Sequence, residues 1–455
     1  MTVYTLQHLE QFTKAQLVAI IIEQTEIIGQ LEVRIAALEK NSGNSSKPPS
    51  TDLSPHHTHS LRERSGKPSG GQYGHPGVTR TQVANPDRVV LCRPTQCEKC
   101  GENLDGETGL IRRKRQEADI PPIAIEVTEY QQEMVSCRRC GHTTTGAFPT
   151  SITAPFQIGD NLKATIIYLN VAHHIPFERC TALLDDLLSV RIGEGSVDTA
   201  LTDGSEHAQT LYRDILESIK QGAWVGGDET GTHVNGEKSW QWVWQNERGS
   251  YYAIEPCRGY RVVKEHFGED YRGTLVSDCW SAQNNTKAGA HQHCHPHYLR
   301  DLQFSIETER SAWAYAAFRF LIASERARAA IWADGFDTTL RGKIVARYER
   351  ELETLIGRPA TGNVAQRIQK RMRKHQEKIL YFMHDSDTPF HNNSSERAIR
   401  NAKLHKKISG GFRSEHGARR HAILLSVIET CKKRKMDILV SLRLLFQGKL
   451  SFQGP

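Results

Sequence analysis

The sequence predicts a multidomain α/β protein. It has a strand-bearing core interrupted by a helical insertion, a cysteine-knuckle domain ahead of that core, and an N-terminal coiled-coil helix. Three observations carry this. Strand-like patterning concentrates between residues 222 and 278, with helical stretches on either side. Two Cys-x-x-Cys pairs, Cys97/Cys100 and Cys137/Cys140, precede it. Residues 17–38 repeat apolar side chains at alternating spacings of four and three. A chain of 455 residues exceeds one ordinary core. Contents of 38% hydrophobic and 24% charged residues exclude wholesale disorder.

Residues 1–40 are the first unit. Leu17, Ile21, Gln24, Ile28, Leu31, Ile35 and Leu38 form a heptad seam, with Ile at one core position and Leu mostly at the other. That pairing favours a parallel two-stranded coiled coil, with Gln24 fixing register. The expected assembly is a homodimer or higher through 17–38; the alternative is one amphipathic helix packed on its own chain. Residues 41–88, rich in Ser, Pro, Gly and Asn, read as a flexible linker.

Residues 89–150 hold the four cysteines. Thiolates two residues apart can turn onto one ion, and two such knuckles complete a tetrahedron, so one structural Zn2+ is expected. Cys92 is a possible substitute ligand, and Glu126–Tyr130 reads as a strand of this domain. Ten cysteines without export signals read as metal-binding and buried thiols, not as a disulfide framework. Residues 151–221 read as a helical DNA-binding or packing subdomain.

From 222 the period changes to two. Ala223–Gly227 leads into Asp228; Asn235-Gly236 supplies a hairpin turn before Ser239–Gln245; Tyr251–Ile254 is a third strand. A helix follows near Tyr260–Phe267, and Gly273–Ser277 ends in Asp278. Three strands, a helix and another strand is the opening order of a ribonuclease-H-like sheet. The first part of that core spans 222–305. Residues 306–386 read as a helical insertion, and 387–447 as a capping loop, a helix opening near Glu396 and a basic C-terminal segment.

Net charge is +7, but residues 396–435 alone carry twelve Lys/Arg against three acids, a net +9. A polyanion is the natural partner for such a stretch, and Arg397, Arg400, Lys403, Lys406, Lys407 and Arg413 are its candidate DNA contacts. No apolar run reaches the roughly eighteen residues of a membrane span. Leu17–Ile22 is too short and too deep for a signal peptide. The expected location is cytoplasmic and nucleoid-associated.

Asp228 and Asp278 end two strands, and Glu396 opens a helix. Neighbouring strands would bring both aspartates to one sheet edge, where the helix carboxylate could join them. Such a set suits hard divalent ions, which need few acidic side chains and keep several waters. The expected cofactor is Mg2+ (or Mn2+), two ions per site, for cutting and rejoining phosphodiesters. Glu229 and Asp301 are acidic neighbours not expected to be ligands, Glu229 because it should point to the opposite face. His291, His293, Cys294, His295 and His297 offer zinc-type ligands, but alternate strand residues face opposite sides, so the five cannot converge. Cys294 and His297 are placed near the active site or beneath it.

These motifs together resemble the insertion sequence 66 family of DDE transposases, nearly end to end. The likeness lies in Asn44–Ser50, Gly70–Gly77, the four cysteines, Asp228–Gly231, Asp278 with Trp280, Cys294-x-x-His297-x-Leu299-Arg300-Asp301-Leu302, Asn392-Asn393-x-x-Glu396-Arg397-x-x-Arg400 and Ile408–Ser414. The resemblance implies catalytic Asp228, Asp278 and Glu396, with Asn392 and Asn393 as active-site support. It also implies binding to terminal inverted repeats, hydrolysis leaving a 3′-hydroxyl, and attack of that hydroxyl on target DNA, with accessory proteins of the same element as partners. One departure is His391, where the family usually has Asp. If that Asp assists metal binding, this copy is weakened; if it caps the helix, the change is minor. The alternatives are a catalytically inactive DNA-binding regulator and a structure-specific nuclease on the same fold.

Overall fold

The computed structural model describes residues 12–39, 74, 81–120, 123 and 125–452. Residues 1–11 and 40 of the expected N-terminal unit lie outside these, as do the linker motifs at 44–50 and, Gly74 apart, 70–77. The chain divides into two compact units, residues 1–59, 129–186 and 190–455 forming one and 60–128 with 187–189 the other.

In the smaller unit the Cys97 knuckle is a tight turn. Gly101 N–H donates to Cys97 O and Cys97 N–H to Glu102 O, both at 2.9 Å. Gly101 sits at φ +75°, a conformation that only glycine adopts freely. In the larger unit the Cys137 knuckle repeats this design. Gly141 N–H donates to Cys137 O and Cys137 N–H to His142 O, both at 2.8 Å, with Gly141 at φ +72°. Strands β1 (Met134–Ser136) and β2 (Thr143–Thr145) flank it as an antiparallel pair. The strand expected at Glu126–Tyr130 is absent. That stretch is irregular and exposed, and the pairing falls instead where the knuckle itself brings two short segments together.

The N-terminal helix α1 spans Lys14–Glu39. Its seam residues Ile21, Ile28, Leu31 and Ile35 are all exposed, so the apolar stripe is not used up within the chain. Four helices precede the sheet: α2 (Asp160–Ile167), α3 (Phe177–Leu188), α4 (Glu194–His207) and α5 (Gln209–Lys220). Of these, α2 and α4 pack on each other and on the C-terminal helices, and α5 packs on a C-terminal helix and the sheet.

The sheet has five strands: β3 (Trp224–Val234), β4 (Glu237–Gln245), β5 (Ser250–Glu255), β6 (Thr274–Ser277) and β7 (Ala290–His293). Their order is β5-β4-β3-β6-β7. The first three pair antiparallel, while β6 and β7 run parallel to β3. Asn235 (φ 52°) and Gly236 (φ 79°) make the β3–β4 turn the sequence predicts. Helix α6 (Tyr260–His266) crosses from β5 towards β6, and the short α7 (Ser281–Asn284) from β6 towards β7. Strand β7 lies in the histidine cluster, where the alternation argument places a strand, but it ends at His293 and the chain turns helical at His295.

After β7 the chain enters helices α8 (His295–Glu309), α9 (Ala312–Ile331), α10 (Thr338–Gly357) and α11 (Asn363–Lys374). They share a core of their own, from Tyr298 and Leu302 through Trp313, Leu321 and Leu352 to Met372 and Phe382. The helical stretch begins at His295, ahead of the 306 expected for it. It returns to the sheet as α12 (Asn393–Ala398) and α13 (Arg400–Ser409). Helices α14 (Glu415–Lys433) and α15 (Ile438–Phe446) close the fold. Buried α14 lies along β5, where Ser426 Oγ accepts from Tyr252 N–H at 2.9 Å and Thr430 Oγ1 from Ser250 N–H at 3.1 Å. An edge strand so covered offers no template for pairing.

Candidate active site

The parallel register places the two aspartates. Gly226 pairs with Val276, so Asp228 and Asp278 each lie two residues beyond an aligned pair, on the same face of neighbouring chains. One strand further, Ser277 pairs with His293, which brings Cys294 level with Asp278.

Glu396 arrives on α12, seated over β3. Asn392 Nδ2 donates to Gly227 O at 2.7 Å. Gln245 Nε2, on β4, donates to Ser394 Oγ at 2.7 Å and Ser395 Oγ at 2.9 Å. A side chain at Gly226 would collide with this seat, so the glycine is a packing requirement. Asn392 N–H donates to the buried Cys294 sulfur at 3.2 Å, tying α12 to the end of β7.

The result is a concentration of carboxylates. Asp228 is pushed well above the usual carboxylate range, first by burial, then by the charges of Glu229 and Asp278, with Glu396 adding to them. Asp278 is also raised, by burial first; the Trp280 N–H and the charges of Arg258 and Arg371 oppose this, while Glu396 reinforces it. The three predicted acids are therefore within electrostatic reach of one another. Acids held this way are short of positive charge, which a bound divalent cation would provide.

Glu229 takes the other face of β3. Its buried carboxylate accepts from Arg258 at 2.7–2.8 Å and from Gln283 Nε2 at 3.3 Å. Burial, followed by the charge of Asp278, lifts it to about 7 against the pull of Arg258. Arg258 in turn sits between the rings of Trp240 and Trp280, 4.8 and 3.8 Å from their centres. Asp301 is likewise occupied, paired with Arg371 at 2.8 Å. Sequence reasoning missed Arg258, Gln283, Gln245 and the paired serines. Only Arg300 left a signal, following Cys294 and His297 at helical steps of three.

The histidine cluster disperses. His291 Nε2 meets Thr286 O at 2.9 Å, His293 meets Asn284 Oδ1 at 2.6 Å, and His295 meets Ile379 O at 2.8 Å. Cys294 and His297 instead face Glu396. The sulfur, an imidazole nitrogen and a carboxylate oxygen all lie within 4.8 Å of one another. His297 Nδ1 is 3.8 Å, and Arg300 Nη2 3.4 Å, from Glu396 Oε1. Burial, together with Arg300 and Arg371, lowers His297 to about 3, so its ring is neutral. Asn393 begins α12 half-buried, and His391 packs edge-on against Phe390.

Residues 156–420 match the sequence profile described as "Transposase IS66 family". That covers more than half of the chain. The chain belongs to the IS66 transposase family. Residues 94–141, spanning all four knuckle cysteines, match the zinc-finger binding domain of transposase IS66. Residues 6–81 match a family of unknown function. Over 398 residues the chain is 23% identical to the uncharacterized protein y4hP of Sinorhizobium fredii (strain NBRC 101917 / NGR234), covering 77% of this chain and 70% of that one. As an IS66-family transposase it is an enzyme with DNA as partner, and its two domain matches imply a divalent metal and zinc. No helix among the described residues is long and apolar enough to cross a membrane.

The basic segment is not one uniform face. Arg397, Arg400, Lys403, Lys407 and Arg413 are exposed and Lys406 half-buried, whereas three other cations are structural. Arg420 pairs with Asp198. Lys433 donates to Gln245 Oε1 and to the carbonyls of Asn246 and Gly249. Arg434 donates to Arg248 O at 3.0 Å and to Phe452 O.

Proposed function

We propose that Asp228, Asp278 and Glu396 are the catalytic acids of a DNA strand-cleaving and strand-transferring enzyme, on a ribonuclease-H-like core that binds the terminal inverted repeats of its element. The observation that carries this is the placement of Asp228 and Asp278 just beyond the parallel-paired stretch of β3 and β6, with the Glu396 charge close enough to act on both buried carboxyls. The strand order, with three antiparallel strands followed by two parallel ones, supports the fold.

The three acids would hold two Mg2+ or Mn2+ ions. When bound, such ions supply an activated oxygen nucleophile and relief of charge at phosphorus. The chain's own part is positional. β3 and β6 fix the aspartates, Asn392 and Gln245 seat the glutamate helix, and Arg258 holds Glu229 away from the pocket while its stacked tryptophans stiffen the Asp278 loop. A supercoiled plasmid carrying the element's ends tests the reading. Nicking with Mg2+ that leaves 3′-hydroxyls is expected. An intact plasmid would favour the DNA-binding regulator, and cutting confined to branched DNA the structure-specific nuclease.

Zinc on Cys97, Cys100, Cys137 and Cys140 is supported by the match across 94–141 and by the local form of each knuckle. The thiols of Cys97 and Cys137 are both lowered, chiefly by the N–H of the second cysteine of each pair, which favours the ligating thiolate. Cys137→Ser should lose metal and loosen residues 89–150 towards proteolysis, because metal binding and local folding are linked. Full zinc content in that variant would end the assignment.

The exposed cations of α12, α13 and the turn beyond are proposed phosphate contacts. Replacing Lys406 and Lys407 with Ala should weaken binding to all DNA alike and reduce the salt slope by about one per lost contact. A loss confined to terminal-repeat DNA would point to base reading. The exposed α1 seam is the proposed dimer contact. Light scattering of a chain lacking residues 1–40 should show reduced self-association; an unchanged oligomer would place the contact elsewhere. Accessory proteins and a nucleoid location are further expectations of the same reading.

A further inference from the structure

We propose that Cys294, His297 and Glu396 form a second site for a thiophilic divalent ion of the zinc class, and that its occupancy removes Glu396 from the carboxylate set. The metal-binding half stands by itself; the exclusivity rests on Glu396 being catalytic.

The donor set argues for the metal. Thiolate, imidazole and carboxylate are the three zinc ligand types, with bonds of about 2.0–2.3 Å in a tetrahedron. Ligand atoms of such a tetrahedron stand roughly 3.5 Å apart. His297 Nδ1 and Glu396 Oε1 already stand 3.8 Å apart, and the whole set lies within 4.8 Å, so small side-chain rotations close it. His297 Nδ1 is buried and has no hydrogen-bond partner, an arrangement that costs free energy unless something else meets the lone pair. The sulfur already receives the Asn392 N–H, the kind of outer contact that orients a metal-bound thiolate. Binding releases the thiol proton to solvent. One thiolate and one carboxylate then balance a divalent ion, giving a neutral complex suited to burial.

Magnesium does not compete for this place, since sulfur and nitrogen donors select softer ions. The shared ligand is Glu396, so an ion held with Cys294 and His297 competes with the Asp228–Asp278 pair for the same carboxylate. Arg300, 3.4 Å from the same oxygen, opposes the incoming cation and sets the affinity.

Cobalt is the probe, because thiolate-bound Co2+ gives a near-ultraviolet charge-transfer band. The full-length chain, loaded with zinc and freed of excess, is titrated with Co2+ in saturating Mg2+. About one equivalent of thiolate-bound cobalt is expected, and it should persist in Cys137→Ser, which disables the knuckles. Cys294→Ser should lose the band, His297→Ala and Glu396→Gln should weaken uptake at least tenfold, and Arg300→Gln should strengthen it. Identical spectra and uptake in wild type, Cys294→Ser and His297→Ala would overturn the site. If Cys294→Ser does not fold, His297→Ala decides alone. In the second arm, Zn2+ should inhibit Mg2+-supported cleavage, with the inhibitory concentration rising at least tenfold in His297→Ala; equal inhibition would overturn exclusivity. A chain that cuts no DNA under any condition would sink the catalytic reading, while the cobalt spectra would still decide the metal site.

Discussion

Asp228→Asn, Asp278→Asn and Glu396→Gln should each lose strand cleavage by roughly a thousandfold or more while still binding DNA. The amides keep shape and packing but remove the charge that holds a cation. A catalytic ion is worth several kcal/mol of barrier, and each 1.36 kcal/mol is about tenfold in rate. A readout independent of activity accompanies this. Mg2+ should raise the melting temperature of the wild-type chain, because it supplies the positive charge that burial first, and neighbouring carboxylates second, leave lacking at Asp228 and Asp278, and the gain should shrink in each variant. Glu229→Gln and Asp301→Asn are the internal controls, since Arg258 and Arg371 already engage those carboxylates. Full cleavage by Glu396→Gln together with loss in Glu229→Gln would show that the third ligand is wrongly chosen.

Gly226→Ala should also cut activity, by about a hundredfold, although it touches no acid. A methyl there would stand 2.4 Å from Ser395 Oγ, 2.7 Å from Asn392 Oδ1 and 2.8 Å from Gln245 Nε2, so the seat of α12 has to give way. Overpacking of this kind costs about 1–3 kcal/mol. A displacement near 1 Å of a catalytic group costs about a hundredfold in rate. Lower thermal stability and a cleavage defect of about that size are expected together. Gly231→Ala, on the same strand but with its nearest neighbour at 4.0 Å, should behave like wild type. Normal cleavage by Gly226→Ala would mean that α12 takes up its working position independently of β3.

The parts legible in the sequence were those with a short local period. The Trp240–Trp244 alternation gave β4, Asn235-Gly236 gave the hairpin, and Gly273–Ser277 gave β6, whereas Asp228, expected at a strand end, lies inside β3, which runs on to Val234. The strand at Ala290–His293 was presumed only through the alternation of its histidines, and its end was not legible, because His295-Pro296-His297 carries no strong helix former to mark the start of α8. The region around Glu126 misled for the opposite reason. Val127 and Tyr130 suit a pleated surface, yet no neighbour pairs with them and both are exposed. Partners such as Arg258 and Gln245 could not be foreseen, because they meet Glu229 and Ser395 across 29 and 150 positions of chain. The basic segment was overread in part. Charge counting cannot tell an exposed Lys407 from Lys433, whose ammonium is spent on carbonyls beneath α14.

The two ends of the helical insertion are fastened to each other before they reach the acids. His295 N–H donates to Phe390 O at 2.9 Å, and one residue earlier the Cys294 sulfur receives the Asn392 N–H. Everything between is a closed excursion with its own apolar centre. Helices α8 and α11 carry His297, Arg300 and Arg371 to the acids, whereas α9 and α10 have no such part and can vary in length without moving them. Glu396, the proposed third acid on its far side, keeps its place so long as the fastening survives, whatever length of chain the excursion carries.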